Sequence, residues 1–217
     1  RGAVLPDIEG VVREDPDGRK LHQRRKAYRR TAIVGEHEER RAECAVSAIC
    51  GGPSCILTTR QNLPILEGTS AEGVAHGAYT VYESAAHPEY LLIASGSEVS
   101  LCVEAAKRIA ETGRAVRVVS MPCRELFERQ SLEYRESIVP GTCVKRVIVE
   151  AGAAVFCVLF QVTFFRSTIL YTLYQVDTSK TRFITLDRYG ESAPYKVLAE
   201  HFGFTVDNVV AKVRELY

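Results

Sequence analysis

The sequence has no surplus of charge of either sign. Its 28 lysines and arginines stand against 27 aspartates and glutamates, which leaves a net charge of +1 at pH 7. A protein that covers a long stretch of nucleic acid needs a strong excess of basic residues. We therefore expect no nucleic-acid partner for the chain as a whole.

Paired cysteines are also missing. The seven cysteines stand singly, and none forms a C-x-x-C pair, so a zinc site and a thioredoxin-like motif lack support. Lone thiols fit a reducing compartment. The N-terminus has no apolar segment of the signal-peptide type. It begins with Arg1 rather than Met, so we expect the first residues of a longer product to be missing.

The first fifty residues are polar and arginine-rich. Between Arg19 and Arg30 there are seven lysines and arginines and no acidic residue. No helical or strand period persists over residues 1–35, so we predict a poorly ordered arm there and a short helix over Glu36–Ile49. The basic run could bind an anionic partner. Because Tyr28 is its one interleaved aromatic residue, we favour a solvated arm.

From residue 51 onwards, strand-like and helix-like runs alternate. A helix over Glu98–Thr112 is predicted by its apolar stripe and by Gly113 at its end. The order of strands and helices favours a parallel sheet with right-handed crossovers. The predicted fold class is therefore α/β, a mainly parallel five-stranded sheet covered by helices. The predicted strands are Cys55–Thr59, Tyr79–Tyr82, Tyr90–Ser95, Ala115–Ser120, Val144–Glu150 and Phe183–Leu186.

Shorter signals predict the remaining elements. Leu63–His76 is rich in turn residues, and helical pieces are predicted over 123–138. Near the end of the chain, Ser192 and Thr205 are predicted to cap two helices, with Pro194 in the first turn of the earlier one.

Residues 153–181 interrupt this pattern with a long apolar run. From Ala153 to Val176 the only charged residue is Arg166, and the length would suffice for a membrane span. Polar residues break up the run, and nothing flanks it like a membrane anchor. We therefore expect no membrane partner and interpret the segment as extra strands or an abnormal insertion.

Two acidic residues, Glu150 and Asp187, each lie at the carboxyl end of a predicted strand. Open parallel sheets bind ligands outside the carboxyl ends of their strands, and two carboxylates there could serve acid/base chemistry. We favour the alternative that they cap turns or pair with Arg146 and Arg188, because no nucleophile or metal-ligand cluster accompanies them. The five histidines also lack metal-ligand spacing; they are His22, His37, His76, His87 and His201.

Three further positions are candidates for chemistry. Ser192 lies in a segment like a nucleophile elbow, but Pro194 stands where the elbow needs glycine, so we interpret Ser192 as a helix cap. The turn Gly96-Ser97-Glu98 could receive an anion, although Glu98 would itself occupy part of the positive helix end. Arg60 follows an apolar strand and could capture a phosphate or carboxylate; a plain surface arginine is the commoner case.

A series of ordered motifs resembles the transketolase family. The segment Gly52–Pro64 (GPSCILTTRQNLP) resembles the end of its pyrimidine-binding middle domain, and the others resemble its C-terminal domain. These others are IASGSEV at 93–99, VRVVSMP at 116–122, YRES at 134–137, VEAG at 149–152, DRYGESAP at 187–194 and EHFGFTVDNVVAK at 200–212.

The resemblance implies a division of the chain and an activity. Residues 1–50 would be a remnant or aberrant arm, 51–66 the end of the middle domain, and 67–217 the C-terminal domain with an anomalous hydrophobic insertion at 153–181. The implied enzyme moves a two-carbon ketol unit from a ketose phosphate to an aldose phosphate in the pentose phosphate pathway. Its cofactors are thiamine diphosphate and Mg²⁺ or Ca²⁺. The resemblance also implies that Arg60 hydrogen-bonds the sugar phosphate.

The chain also departs from the family. The cofactor-phosphate domain and the middle domain's catalytic glutamate and histidines have no counterpart, so we expect that this chain neither binds the cofactor nor acts alone. We interpret the divergent residues 1–41 and 153–181 as the product of a frameshift, a retained intron or a gene-model error. Expected partners are sugar phosphates and either a second copy or a complementing transketolase chain, in the cytoplasm or an organelle. Alternatives are a non-catalytic binding or regulatory module and the C-terminal part of another thiamine-diphosphate enzyme.

Overall fold

A computed structural model describes residues 30–34, 54–58, 62–151 and 178–217. Five strands within them form one sheet: β3 (Tyr79–Glu83), β4 (Tyr90–Ala94), β5 (Val116–Ser120), β6 (Lys145–Glu150) and β7 (Thr181–Thr185). Their order in the sheet is β3-β5-β4-β6-β7. Only β3 runs antiparallel to its neighbour; the other pairs are parallel. This architecture confirms the predicted α/β class with a mainly parallel five-stranded sheet.

Six helices are found in the described residues. They are α1 (Ala71–Ala75), α2 (Glu98–Ala110), α3 (Arg124–Glu128), α4 (Leu132–Ile138), α5 (Tyr195–Phe202) and α6 (Val206–Arg214). The predicted cap of the last helix is confirmed, because Oγ1 of Thr205 accepts a hydrogen bond from the backbone N–H of Asn208 at 3.2 Å. Near the end of α2, Gly113 adopts a φ of 81°, the left-handed region that glycine enters at no steric cost.

Successive strands of the chain are added to the sheet on opposite sides of β4. From β4 the chain passes through α2 to β5 on one side, and then through α3 and α4 to β6 on the other side. The gap between β4 and β6 is therefore the topological switch point of the sheet. In open α/β sheets, ligands bind outside the carboxyl ends of the strands at this place.

The central strand β4 is covered on both faces. Leu92 and its neighbours on the same face pack against α2 and α6, while Leu91 faces the side of α3 and α4. Burial on both faces explains why β4 reads as a continuous apolar run without alternation. The first core includes Tyr90, Leu92, Ala94, Val99, Cys102, Ile109, Val147, Val209 and Val213. The second includes Ala78, Leu91, Val119, Phe127, Val139 and Cys143.

Three local predictions were wrong. The loop predicted over 1–35 contains the strand β1 (Arg30–Val34), whose apolar and β-branched sequence TAIV pairs in parallel with β2 (Ser54–Thr58). The turn-rich stretch before β3 contains α1, capped by Ser70, whose Oγ accepts from the backbone N–H of Gly73 at 3.1 Å. Ser192 does not cap α5, because Pro194 occupies that position.

Two predictions lie outside the described residues: the helix over 36–49 and almost all of the insertion at 153–181, of which Thr181 belongs to β7. Among the residues that the structure describes, no helix has both the length and the apolar character that crossing a bilayer requires.

Candidate functional site

The carboxyl ends of β4 and β6 bring polar side chains together at the switch point. Ala94 and Val149 are register partners in this parallel pair, so the residues that follow them, Ser95 and Glu150, lie side by side. The Ser95 hydroxyl donates a hydrogen bond to Oε2 of Glu150. One of the two carboxylates predicted at this edge is therefore held by a serine from the adjacent strand end.

A second carboxyl group, that of Glu98, is buried at the start of α2. Only 7% of Glu98 is exposed, and the Ser97 hydroxyl donates a hydrogen bond to its Oε1 at 2.8 Å. Burial raises the pKa of Glu98 from its ordinary 4.5 to about 7, and the negative charge of Glu150 adds to the shift, while the bond from Ser97 opposes it. Desolvation therefore outweighs the favourable field that a helix N-terminus gives a carboxylate.

We call Ser95, Ser97, Glu98 and Glu150 the carboxyl cluster. Two carboxyl groups in different surroundings can hold one proton at a pH where the other is ionised. Cys102, one turn along α2, is fully buried, and burial raises the pKa of its thiol, with a further contribution from Glu98. In the described ranges, no group of three His, Cys, Asp or Glu side chains is placed to hold a metal ion. The cluster can therefore store a proton, but it offers neither an ionised thiol nor a metal centre.

A surface cavity of about 330 Å³ lies elsewhere, between α2 and α6. Its walls include Arg108, Asp207 and Arg214, and Nη1 of Arg108 donates to Oδ1 of Asp207 at 2.8 Å. Arg108 stands ten residues after Glu98 on α2, a distance of roughly 15 Å along the helix axis. The cavity is therefore separate from the carboxyl cluster.

Comparison with known proteins shows which family the chain belongs to. A model described as the transketolase-like TK C-terminal domain matches residues 77–205. The chain belongs to the transketolase family. The match runs from just before β3 to the residue that caps α6, so it includes all five strands of the main sheet and the carboxyl cluster.

Individual transketolases match the same region. Transketolase of Staphylococcus aureus strain MW2 is 44% identical over 167 residues, which make up 76% of this chain and 23% of that protein. The structure of transketolase from Leishmania mexicana superposes with a TM-score of 0.69 at 35% identity, over 86% of this chain and 25% of that one. The chain thus spans about a quarter of the length of the curated relatives it matches.

A solved split-gene transketolase, described as an inactive beta4 tetramer, also shares the fold. Its TM-score is 0.62 at 18% identity, and the match covers 86% of this chain and 57% of that chain. At this identity the likeness shows the fold alone.

The residues predicted from the sequence as site candidates have different surroundings in the structure. Glu150 is held by Ser95, whereas Asp187 is exposed beyond the end of β7, where its Oδ2 accepts a hydrogen bond from Oγ1 of Thr185 at 3.2 Å. Glu150 and Thr185 are register partners, so the two carboxylates, each predicted at the carboxyl end of a strand, lie at the ends of two neighbouring strands. Arg60, the predicted phosphate-binding residue, lies outside the described residues.

The two arginines considered as partners of these carboxylates, Arg146 and Arg188, bond groups in loops. Arg146 is buried and donates from Nε to the carbonyl of Cys143 at 2.9 Å and from Nη2 to the carbonyl of Pro140 at 3.2 Å. Arg188 bonds Glu191 instead. Both arginines therefore stabilise the conformation of loops through these hydrogen bonds.

Ser192 does not form a nucleophile elbow. An elbow holds its nucleophile at a sharp turn directly between a strand and a helix. Here β7 ends at Thr185, seven residues before Ser192, and the whole stretch around Ser192 is exposed. The sequence-based preference for a non-catalytic Ser192 agrees with this geometry, although its predicted capping role was wrong.

Sequence reasoning missed the part that Glu98 plays with Glu150. The available signal was the position of Glu98 four residues before Cys102 and eight before Ala106, on the apolar stripe of α2. An acidic residue on such a stripe is buried with the stripe. The Gly96-Ser97-Glu98 turn therefore places its own carboxyl group at the helix N-terminus, the position that could otherwise receive an anion.

Proposed function

We propose that this chain is the C-terminal-domain part of a transketolase that works only with another polypeptide. The assembled enzyme would move a two-carbon ketol unit from a ketose phosphate to an aldose phosphate in the pentose phosphate pathway, in the cytoplasm. The match of residues 77–205 to the family's C-terminal domain carries the proposal. The chain spans about a quarter of the length of its relatives, and we assign the other domains of the enzyme to a complementing polypeptide.

The described residues do not fit the cofactors of the family. Thiamine diphosphate with Mg²⁺ or Ca²⁺ requires ligands for a cation and positive or N–H groups for a diphosphate. The carboxyl cluster would repel a diphosphate once Glu150 and Glu98 are ionised, and the described ranges hold no three-residue metal-ligand group. We therefore assign cofactor binding to the complementing polypeptide and derive no catalytic step through this chain.

Residues 51–66 would be the end of the middle domain and 67–217 the C-terminal domain. Within the first of these, Arg60 would bind the phosphate of the sugar, because a guanidinium donates two parallel hydrogen bonds to phosphate oxygens. The complementing chain or a second copy of this one would complete the oligomer.

Reconstitution tests the proposed function. The full chain is mixed with S. aureus transketolase shortened to end before the aligned region, and ketol transfer is measured with thiamine diphosphate, Mg²⁺, a ketose phosphate and an aldose phosphate. We expect turnover in the mixture and none from either component, with no tight binding of thiamine diphosphate by this chain in calorimetry. Tight binding by the isolated chain, or an inactive mixture in which the two components are bound to each other, would refute the proposal; the latter result favours a non-catalytic module.

The role of Arg60 has its own test in the same mixture. Arg60→Ala should raise the KM for phosphorylated sugars about tenfold or more, because a charged hydrogen bond is lost, and leave the affinity for thiamine diphosphate unchanged. Arg129→Ala, at an exposed arginine of the described domain, is the matched control. An unchanged KM in Arg60→Ala would remove the assignment.

A further inference from the structure

One segment of the folded domain is exposed throughout. Every residue from Asp187 to Val197 is exposed, and Tyr189 has 98% of its surface in solvent. Tyr195 and Val197, in the first turn of α5, are 49% and 55% exposed. A side chain added at Gly190 would meet no atom within 4 Å. This stretch therefore presents the side chain of Tyr189 to solvent.

The segment is nevertheless held in a defined shape. We call residues 186–194, which join β7 to α5, the β7–α5 loop. Within it, Arg188 bonds Glu191, lies 3.2 Å from Nε2 of His201 through its Nη2, and stacks its guanidinium 5.1 Å from the ring centre of Phe202. These contacts tie the loop to α5, while Tyr189, next to Arg188, projects into solvent. Such a loop would lose little conformational freedom on binding a partner.

The chemistry of the loop is that of a protein interface. Tyrosine and arginine are enriched among the residues that dominate binding energy, and tyrosine buries a large area with only two side-chain torsions. A single exposed apolar residue is ordinary. An exposed tyrosine on a preshaped loop, followed within eight residues by two further exposed apolar groups, is the pattern of an interaction site.

The position of the loop indicates the kind of partner. It follows β7, one edge of the sheet, whereas the chain enters the domain at the opposite edge, where Gly68 lies against the backbone of Val81 in β3. Ile65, just before that entry, is 83% exposed. Four strand spacings of about 4.8 Å separate the edges, roughly 19 Å in all. Apolar groups this far apart suit a domain-sized partner better than one self-complementary patch on a second copy.

We propose that the β7–α5 loop, with Tyr189 as its central side chain, docks onto the polypeptide that carries the other transketolase domains. This inference rests on the proposed function. The loop lies inside the family-matched range 77–205, so it belongs to the conventional part of the chain. Because the chain spans only about a quarter of its relatives, the family's C-terminal domain is normally joined to some three-quarters more protein, which is the occupant we assign.

Binding measurements with a matched pair of tyrosine variants test the docking surface. The probe is the shortened S. aureus transketolase, immobilised and titrated with the full chain. Tyr189→Ser should weaken binding at least tenfold, because it removes a central anchor. Tyr217→Ser, at an exposed tyrosine beside the α2–α6 cavity, should change the Kd less than twofold. Both variants should retain the wild-type Tm within a few degrees.

Each other outcome overturns the inference. Equal affinity for Tyr189→Ser and wild type removes Tyr189 as an anchor. Failure of the wild-type chain to bind, with a probe that still binds thiamine diphosphate, removes the partner. A wild-type dimer in sedimentation that Tyr189→Ser dissociates would make a second copy the occupant.

A photo-crosslink supplies a measurement that does not depend on the shortened probe. A benzophenone amino acid is placed in full-length S. aureus transketolase at the position aligned with Tyr189. Crosslinks to peptides outside the C-terminal domain support the docking surface, and their absence contradicts it. Ketol transfer separates this result from the proposed function: binding lost in Tyr189→Ser with an inactive wild-type mixture refutes only the activity, and an active mixture indifferent to Tyr189→Ser refutes only the surface.

Discussion

The pKa values of the carboxyl groups at the two ends of the central strands are shifted in opposite directions. At the amino end of β4, Glu89 accepts hydrogen bonds from Nη1 of Arg114 at 2.9 Å and from Nζ of Lys145 at 3.2 Å. Burial alone would raise the pKa of Glu89, but the bonds from Lys145 and Arg114 outweigh it, and the net shift is downward. At the carboxyl end, Glu98 has another carboxylate, Glu150, as its charged neighbour, and its pKa rises to about 7.

The difference shows that the balance between burial and neighbouring cations decides the sign of the pKa shift: Glu98 is buried beside another carboxylate, whereas Glu89 is partly exposed beside two cations. Both groups lose water on folding, which disfavours their ionised forms. Lys145 starts β6 and Glu150 ends it, so a single strand supplies a cation to one end of the sheet and an anion to the other. At the amino end the folded protein is more stable with Glu89 ionised, and at the carboxyl end it is more stable with Glu98 protonated.

The largest expected effect is that of Glu98 on the pH dependence of stability. Between about pH 4.5 and 7 the folded protein keeps a proton on Glu98 that the unfolded chain has released, so stability falls as the pH rises through this window. Above pH 7 the full cost to the folding free energy is about 3 kcal/mol, because the folded pKa of about 7 lies well above the ordinary 4.5. Glu98→Gln, which mimics the protonated acid, should flatten this dependence and stabilise the protein at pH 8. Urea unfolding from pH 5 to 8.5 measures it.

Glu104→Gln is the matched control for this experiment. Glu104 lies on the exposed face of the same helix, where it pairs with Arg108 at 3.4 Å. Its replacement should leave the slope between pH 5 and 8 as in the wild type. If the free energy of unfolding of Glu98→Gln and of the wild type depended on pH in parallel, Glu98 would be ionised in the folded state over this range. The proposed difference in pKa shift between the two strand ends would then be wrong.

A smaller effect is expected from Glu150. Its negative charge contributes to the raised pKa of Glu98, after burial. Glu150→Gln keeps an oxygen that can accept from Ser95 but removes the charge, so the pKa of Glu98 should fall and the pH window should narrow from its upper end. We expect a gain at pH 8 of about 1 kcal/mol or less. An upward movement of the window would mean that Glu150 does not act on Glu98 through its charge.

The elements that the sequence predicted well depend on local patterns. The helix α2 was predicted over Glu98–Thr112 and runs over Glu98–Ala110, because its apolar stripe and Gly113 are both local signals. The strand β4 was predicted one residue too long. The parallel order followed from the alternation of strands and helices. Each of these inferences needed only neighbouring residues.

The carboxyl cluster could not be predicted in the same way. Ser95 and Glu150 are 55 residues apart, and they meet only because β4 and β6 are neighbours with Ala94 opposite Val149. No local pattern fixes that register. The strand β1 was missed for a related reason, since its pairing with β2 joins segments more than twenty residues apart. For the β7–α5 loop, the sequence pattern predicted only that Ser192 caps a helix. The exposure of the loop depends on how the domain packs, which no local pattern indicates.

The smallest effect, and the sharpest check of the contrast, is expected at the amino end. Because the folded pKa of Glu89 is lowered, its ion pairs stabilise the protein above its ordinary pKa, and this contribution is lost as the pH falls through the folded value. Glu89→Gln should therefore destabilise at pH 7 and be neutral at pH 3, the opposite sign to Glu98→Gln. Since Glu89, Arg114 and Lys145 are all partly exposed, the loss should be less than about 1 kcal/mol and shrink in 1 M salt. A stabilising Glu89→Gln at pH 7 would mean that burial, rather than the neighbouring cations, governs both ends.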